Sequence, residues 1–158
     1  MPETTLLFIV VGFVILMLMV TFVARRVQLS SLYVAKRLLT EHELVFYKKL
    51  RLAVRDVGNY AVMSQVAMGG FVQPRPGLSN RDHMTAWNSI AQKIVDFVLM
   101  DASGKVVLVI ELDDRSHNAD KDARRDAIVA QAGYKTLRFR GGHKITQQQI
   151  ADRIRAEI

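Results

Sequence analysis

The sequence predicts an α/β fold, a mixed central sheet flanked by helices and preceded by one transmembrane helix. Three observations predict it: a nearly uncharged apolar run near the N-terminus, helix-start signatures at Thr40 and Thr146, and short apolar stretches between them punctuated by turn residues. The 158 residues suffice for one domain of ordinary size once a membrane segment is set aside. Without cysteine, disulfides, zinc–thiolate sites and cysteine nucleophiles are excluded.

The first element is the run from Thr5 to Ala24, in which Leu6 through Val20 carry no charge. About 20 apolar residues is the length that crosses a bilayer core, so residues 1–24 read as an N-terminal transmembrane anchor. A secretory signal would place basic residues before the run, whereas Glu3 precedes it and Arg25-Arg26 follows. That asymmetry predicts a single-pass membrane protein whose remaining chain faces the cytoplasm. Residues 25–38 form a basic juxtamembrane connector, and residues 39–158 the domain. The net charge of +7 falls almost wholly outside the apolar run and favours polyanions or anionic lipid as partners.

Thr40-Glu41-His42-Glu43 is a capping box, opening a helix to about Val54 with Leu39, Glu43, Phe46, Leu50 and Val54 on one stripe. Glu43 therefore has a capping role and, lying on the sheet-facing stripe, a secondary place among the candidate site residues. Tyr60 to Met68 reads as the first strand, ending at Gly69-Gly70, and a Pro/Gly-rich loop from Gln73 to about His83 is the expected substrate-contacting segment. Trp87 reads as core or loop packing rather than as a platform for stacking bases. Lys93–Met100 and Lys105–Leu112 form a strand hairpin across the turn Asp101-Ala102-Ser103-Gly104. Asn118–Ala132 is helix-compatible up to Gly133, Tyr134–Arg140 supplies the fourth strand, and Thr146-Gln147-Gln148-Gln149 caps a final helix carrying Ile150 and Ile154.

The hairpin carries acids where a buried strand should be apolar. Period-two alternation puts Ile94, Asp96 and Val98 on one face, and Val107, Val109, Glu111 and Asp113 on one face of the next strand. Clustered carboxylates repel and are costly to desolvate, so their usual purpose is a hard divalent cation, magnesium or manganese, held by oxygen. Asp96, Glu111 and Asp113 are the predicted metal ligands, with the Leu112 carbonyl nearby. His117 is placed to orient water or protonate a leaving group, completing a catalytic set of Asp96, Glu111, Asp113 and His117. Asp126, with Arg125 in the same charged helix, and Arg138, which points away from Leu137 and Phe139, are secondary candidates. Lys93 falls on the face opposite Asp96 and reads as a surface residue.

Asp96 within Val95-Asp96-Phe97-Val98-Leu99, the run Ile110-Glu111-Leu112-Asp113-Asp114-Arg115-Ser116-His117, the later Asp126 and the segment Leu137-Arg138-Phe139 resemble the PD-(D/E)XK restriction-endonuclease-like superfamily. Within it, roughly residues 38–142 are similar to bacterial domain-of-unknown-function family 2726, whose members often carry an N-terminal membrane helix and a start like Leu39-Thr40-Glu41. The resemblance implies a restriction-endonuclease-like sheet, magnesium dependence and cleavage of nucleic acid, DNA ahead of RNA. Asp96 then matches the superfamily's first acid and Glu111 its second, while Asp113 stands where a lysine is usual. That segment is similar to the very-short-patch-repair endonuclease branch, which has aspartate and histidine there, although Asp114 replaces that branch's glycine. The expected function is a membrane-anchored, metal-dependent nuclease hydrolysing phosphodiester bonds. The alternative is a catalytically silent nucleic-acid-binding or protein-interaction module tethered to the inner membrane. Oligomeric state is not legible in these residues.

Overall fold

The computed structural model describes residues 3–30, 32–113, 119–142 and 144–158. The chain divides into two compact units, Met1–Arg37 and Leu38–Ile158. In the first, helix α1 spans Glu3–Ser30. Its segment Thr4–Arg26 is apolar and long enough to cross a membrane, a property that a signal sequence near an N-terminus shares. Apolar side chains such as Phe8 and Leu18 are exposed all round it, as a helix surrounded by lipid requires.

The second unit opens with helix α2, Glu41–Val57, whose capping box forms as its sequence dictates. The Glu43 amide donates to Thr40 Oγ1 at 3.3 Å, and the Thr40 amide donates to Glu43 Oε2 at 2.6 Å. Strand β1 is Ala61–Ala67, followed by a 3-10 turn at Met68–Gly70 and helix α3 at Asn80–Ile90. Strands β2 (Ile94–Met100) and β3 (Val106–Asp113) form the hairpin, helix α4 (Ala119–Gln131) leads to strand β4 (Thr136–Arg140), and helix α5 (Gln147–Arg155) ends the chain.

The four strands lie in sequence order, β1 antiparallel to β2, β2 antiparallel to β3, and β3 parallel to β4. A parallel pair needs a crossover, and α4 supplies it. The α/β fold with a mixed sheet flanked by helices is as the sequence predicts. Two details differ. Helix α3 starts inside the stretch read as loop, because Ser79 caps it, accepting from the Asp82 amide at 3.2 Å, while Ile90 is its only buried side chain, too weak an apolar signal to register as a period. Val107 leaves the face assigned to it: Leu99 pairs with Leu108 and Met100 with Val106, so Val107 is the extra residue of a bulge that shifts the alternation.

Each face of the sheet buries its own core. On one, Phe46, Leu50 and Val54 of α2 and Ile150 and Ile154 of α5 pack on Phe97, Leu99, Leu108, Ile110, Leu137 and Phe139. Phe46 stands 5.7 Å from the Phe97 ring and 5.2 Å from the Phe139 ring. On the other, Val98, Val106 and Val109 meet Val129 of α4, Ile90 of α3 and Met68. The loop after β4 must come close to the first core: a Cβ on Gly142 would lie 3.0 Å from Leu112 Cδ1, and Lys49 Nζ fastens the loop by donating to the carbonyls of Gly142 and Ile145.

The hairpin turn is built by one acid. Asp101 Oδ1 accepts from the Ser103 amide, the Ser103 hydroxyl and the Lys105 amide, and these bonds, Ser103's first, hold its carboxyl below the usual carboxylate range. Gly104 takes the positive φ of 84° that the turn needs.

A buried carboxylate pair between the sheet and helix α4

The β2–β3 ladder runs from Met100 and Val106 to Phe97 and Ile110, and Asp96 follows as the next residue of β2. There the Asp96 carboxylate takes over the ladder's work, its Oδ2 accepting the Leu112 amide at 2.8 Å. Bonded to the backbone beside Glu111, Asp96 stands next to the Glu111 side chain. Glu111 is 3% exposed and is the one buried charged residue among the described residues.

Burial pushes the Glu111 carboxyl up to about 8, with the Asp96 charge and a hydrogen bond between the two carboxyls adding to the rise. Arg125 of α4 opposes it, its Nη2 3.3 Å from Glu111 Oε2, and the more remote Arg138 acts in the same sense. Burial beside a second acid thus favours the protonated form of Glu111, the lower-energy way to keep that carboxyl in a dry site.

Asp113, one alternation further along β3, belongs to a second group. Arg138 Nη1 donates to its Oδ1, and Arg140 Nε lies 3.6 Å from its Oδ2. The remaining donors of Arg138 go to Asp126, Nε at 3.0 Å and Nη2 at 2.7 Å, so one guanidinium clamps β3 to α4 through two carboxylates. The bonds to Asp126 and Asp113 raise the Arg138 pKa further above its already high value. In register, Glu111 stands beside Arg138 and Asp113 beside Arg140, which places both acids at the end of the parallel pair.

Of the residues singled out from the sequence, Asp96 and Glu111 are brought together. Asp113, Asp126 and Arg138 form the adjoining clamp, and Arg138's donors are engaged by carboxylates. Glu43 lies on the α2 side and accepts from Gln65 Nε2 at 2.9 Å through Oε1. Gln65 falls between the pairs Ser64–Phe97 and Val66–Val95, opposite Asp96, with a positive φ of 54° that a side-chain-bearing residue rarely adopts. His117 and Asp114 lie outside the described residues. Trp87, read as packing, is 39% exposed on α3. Among the described residues no group of three or more His, Cys, Asp or Glu stands together as a metal cage.

Sequence reasoning missed Gln65, whose role depends on strand register, and named Arg125 only beside Asp126 in a charged helix. The signal for Arg125 was helical spacing: Arg125 is four residues before Val129, which is buried on the sheet, so both face inward.

A family model described as "Protein of unknown function (DUF2726)" matches residues 35–157. The chain belongs to this family. Its match therefore covers α2 through α5 and every residue of the carboxylate site. A protein of Haemophilus influenzae carrying the printed name "Uncharacterized protein" is 30% identical over 107 residues, 67% of this chain and 53% of that protein. The chain thus spans about half the length of the curated relative it matches. No solved structure matches.

Proposed function

We propose that this family member is a metal-dependent nuclease of restriction-endonuclease-like fold that hydrolyses nucleic-acid phosphodiester bonds, held by α1 at the bacterial inner membrane with its second unit in the cytoplasm. The observation that carries the reading is the Asp96–Glu111 pair, a buried carboxylate at 3% exposure set against a second one at the end of a β hairpin. The net charge of +7 suits a polyanionic substrate, and Arg25-Arg26 after the apolar run suits retention of the following chain on the cytoplasmic side.

The donor set fits a hard divalent ion. Magnesium typically takes one or two protein carboxylates and fills its remaining positions with water and substrate phosphate oxygens, so Asp96 and Glu111 are enough to hold it. Bound there, magnesium or manganese would supply charge stabilisation at the phosphoryl oxygens and an acidified water. To hold such a cation Glu111 would have to be ionised, its proton leaving to solvent. Arg125, with its planar fork of donors, is placed to hold a phosphate oxygen beside Glu111. Arg138 and Asp126 fix α4 against β3 and so hold Arg125 in line. Asp113 stands where the superfamily resemblance expects a lysine, and its engagement by Arg138 makes it a positioning group in this reading.

One observation favours a second reading, a nucleic-acid-binding module without turnover: Arg125 Nη2 already lies 3.3 Å from Glu111 Oε2, a contact that ties α4 to β3 structurally. The test is hydrolysis of single- and double-stranded DNA and RNA by the full chain in detergent, with magnesium or manganese and in chelator. Metal-dependent cutting that disappears in the Asp96→Ala, Glu111→Ala double variant is the expected result. Equal cutting by the double variant, or binding without turnover, overturns the nuclease assignment.

A further inference from the structure

Helix α3 is thinly anchored in the second unit. Only Ile90 of its side chains is buried, while Met84 is 54% and Trp87 39% exposed, and Leu78 just before it is 40% exposed. Trp87 is the chain's single tryptophan. Its indole is seated rather than loose: a Cβ on Gly69 would lie 3.4 Å from Cη2 of the ring, so the bare glycine of the 3-10 turn gives the ring edge its seat. His83 and Met84 precede Trp87 by four and three residues and flank it on the helix surface.

The chain on either side of Trp87 carries exposed basic residues. Arg75, Arg81 and Lys93 are exposed, and the acid among them, Asp82, accepts the Ser79 hydroxyl at 2.7 Å in the helix cap. The platform also leads into the carboxylate site. The Lys93 amide donates to the Ile90 carbonyl at 3.0 Å, the Lys93 carbonyl accepts the Met68 amide at 2.8 Å, and Asp96 follows three residues later. Ile90 shares its core with Val98, Val109 and Val129, so α3 stands on the face of the sheet that carries Glu111 and Arg125.

We infer that Trp87 and Met84, with the exposed Arg75, Arg81 and Lys93 before and after them in the chain, form a stacking platform for an unpaired base of the nucleic-acid strand whose phosphodiester reaches Asp96 and Glu111. The inference rests on the nuclease reading and names its substrate class, single-stranded nucleic acid or a strand with extruded bases. An aromatic face binds any base, but only one whose own face is uncovered, and a matched duplex covers both faces of every internal base. The basic residues hold the phosphates and make binding depend on salt.

The test uses the full chain in nanodiscs of zwitterionic phosphatidylcholine, with chelator present so that nothing is cut. The probes are a thymidine oligonucleotide, a uridine oligonucleotide and a matched duplex, read by Trp87 emission and, with labelled probes, by anisotropy. Saturable quenching by the single strands and little by the duplex is expected. Trp87→Ala should weaken single-strand binding about 5- to 150-fold while leaving the urea midpoint close to wild type, and Trp87→Phe should retain most of the affinity. Quenching by the duplex as strong as by single strands, or none by any nucleic acid, overturns the platform. An emission blue shift seen only when phosphatidylserine replaces part of the phosphatidylcholine also overturns it, in favour of a bilayer contact. Quenching without cleavage in magnesium counts against the nuclease and leaves the platform standing; cleavage without quenching does the reverse.

Discussion

At the scale of single residues, Glu111 has the clearest consequence. Its carboxyl ordinarily titrates near 4.5 and in the fold is pushed up to about 8, by burial first and then by Asp96. Between those values the folded state binds more protons than the unfolded state, so metal-free stability should fall as pH rises from about 5 to about 8. Glu111→Gln keeps the shape and removes the titration, and urea unfolding in chelator should show a flatter pH dependence by on the order of a few kcal/mol. An unchanged pH slope would mean that the acid is not desolvated. Arg138 gives a second test. Its guanidinium reaches Asp126 through two nitrogens and Asp113 through a third, a fork that an ammonium cannot copy. Arg138→Lys should therefore lower stability by about 1–3 kcal/mol in urea unfolding. The sequence made Asp96 and Glu111 legible because acids interrupt an otherwise apolar alternation. It could not display Gln65 or Arg125, since each matters only through the strand register or helix rotation that brings it to a carboxylate.

At the scale of elements, two helices announce themselves through complete capping boxes. Thr40 and Thr146 both close capping boxes in the fold, and both were readable as four-residue patterns. Helix α3 was hidden because it begins after a loop with two prolines and a glycine and buries only Ile90. The bulge at Val107 was hidden because it is a property of two strands together, not of one segment. Gly133, by contrast, was legible, and its φ of 86° ends α4 and turns the chain toward β4. No atom lies within 4 Å of where its Cβ would be, so Gly133→Ala meets backbone strain alone. A loss of about 1–2 kcal/mol by thermal or urea unfolding is expected, with the native far-ultraviolet spectrum kept.

At the scale of the whole molecule, the long N-terminal helix decides how the protein is handled. If Thr4–Arg26 is an uncleaved span, the full chain should stay with the membrane pellet through alkaline carbonate washing, and its intact mass should include Glu3. A chain begun at residue 27 should leave the pellet. A mature N-terminus beyond residue 20 would identify a removed signal instead. Length and hydropathy made the helix legible, yet those two quantities alone serve an anchor and a signal equally well.

The parallel pairing of β3 with β4 also sets an order of events in time. The hairpin of β2 and β3 is local and can close without the rest of the chain, bringing Asp96 and Glu111 near each other early. Arg125 and Arg138 arrive only with the crossover and the strand after it, a long-range closure that contact order makes slow. A chain cut short before residue 136 would thus have both acids of the hairpin but lack Arg138 to clamp Asp113. Such a chain exposes an unpaired strand edge along β3, where a chaperone, or a neighbouring nascent chain, would bind first.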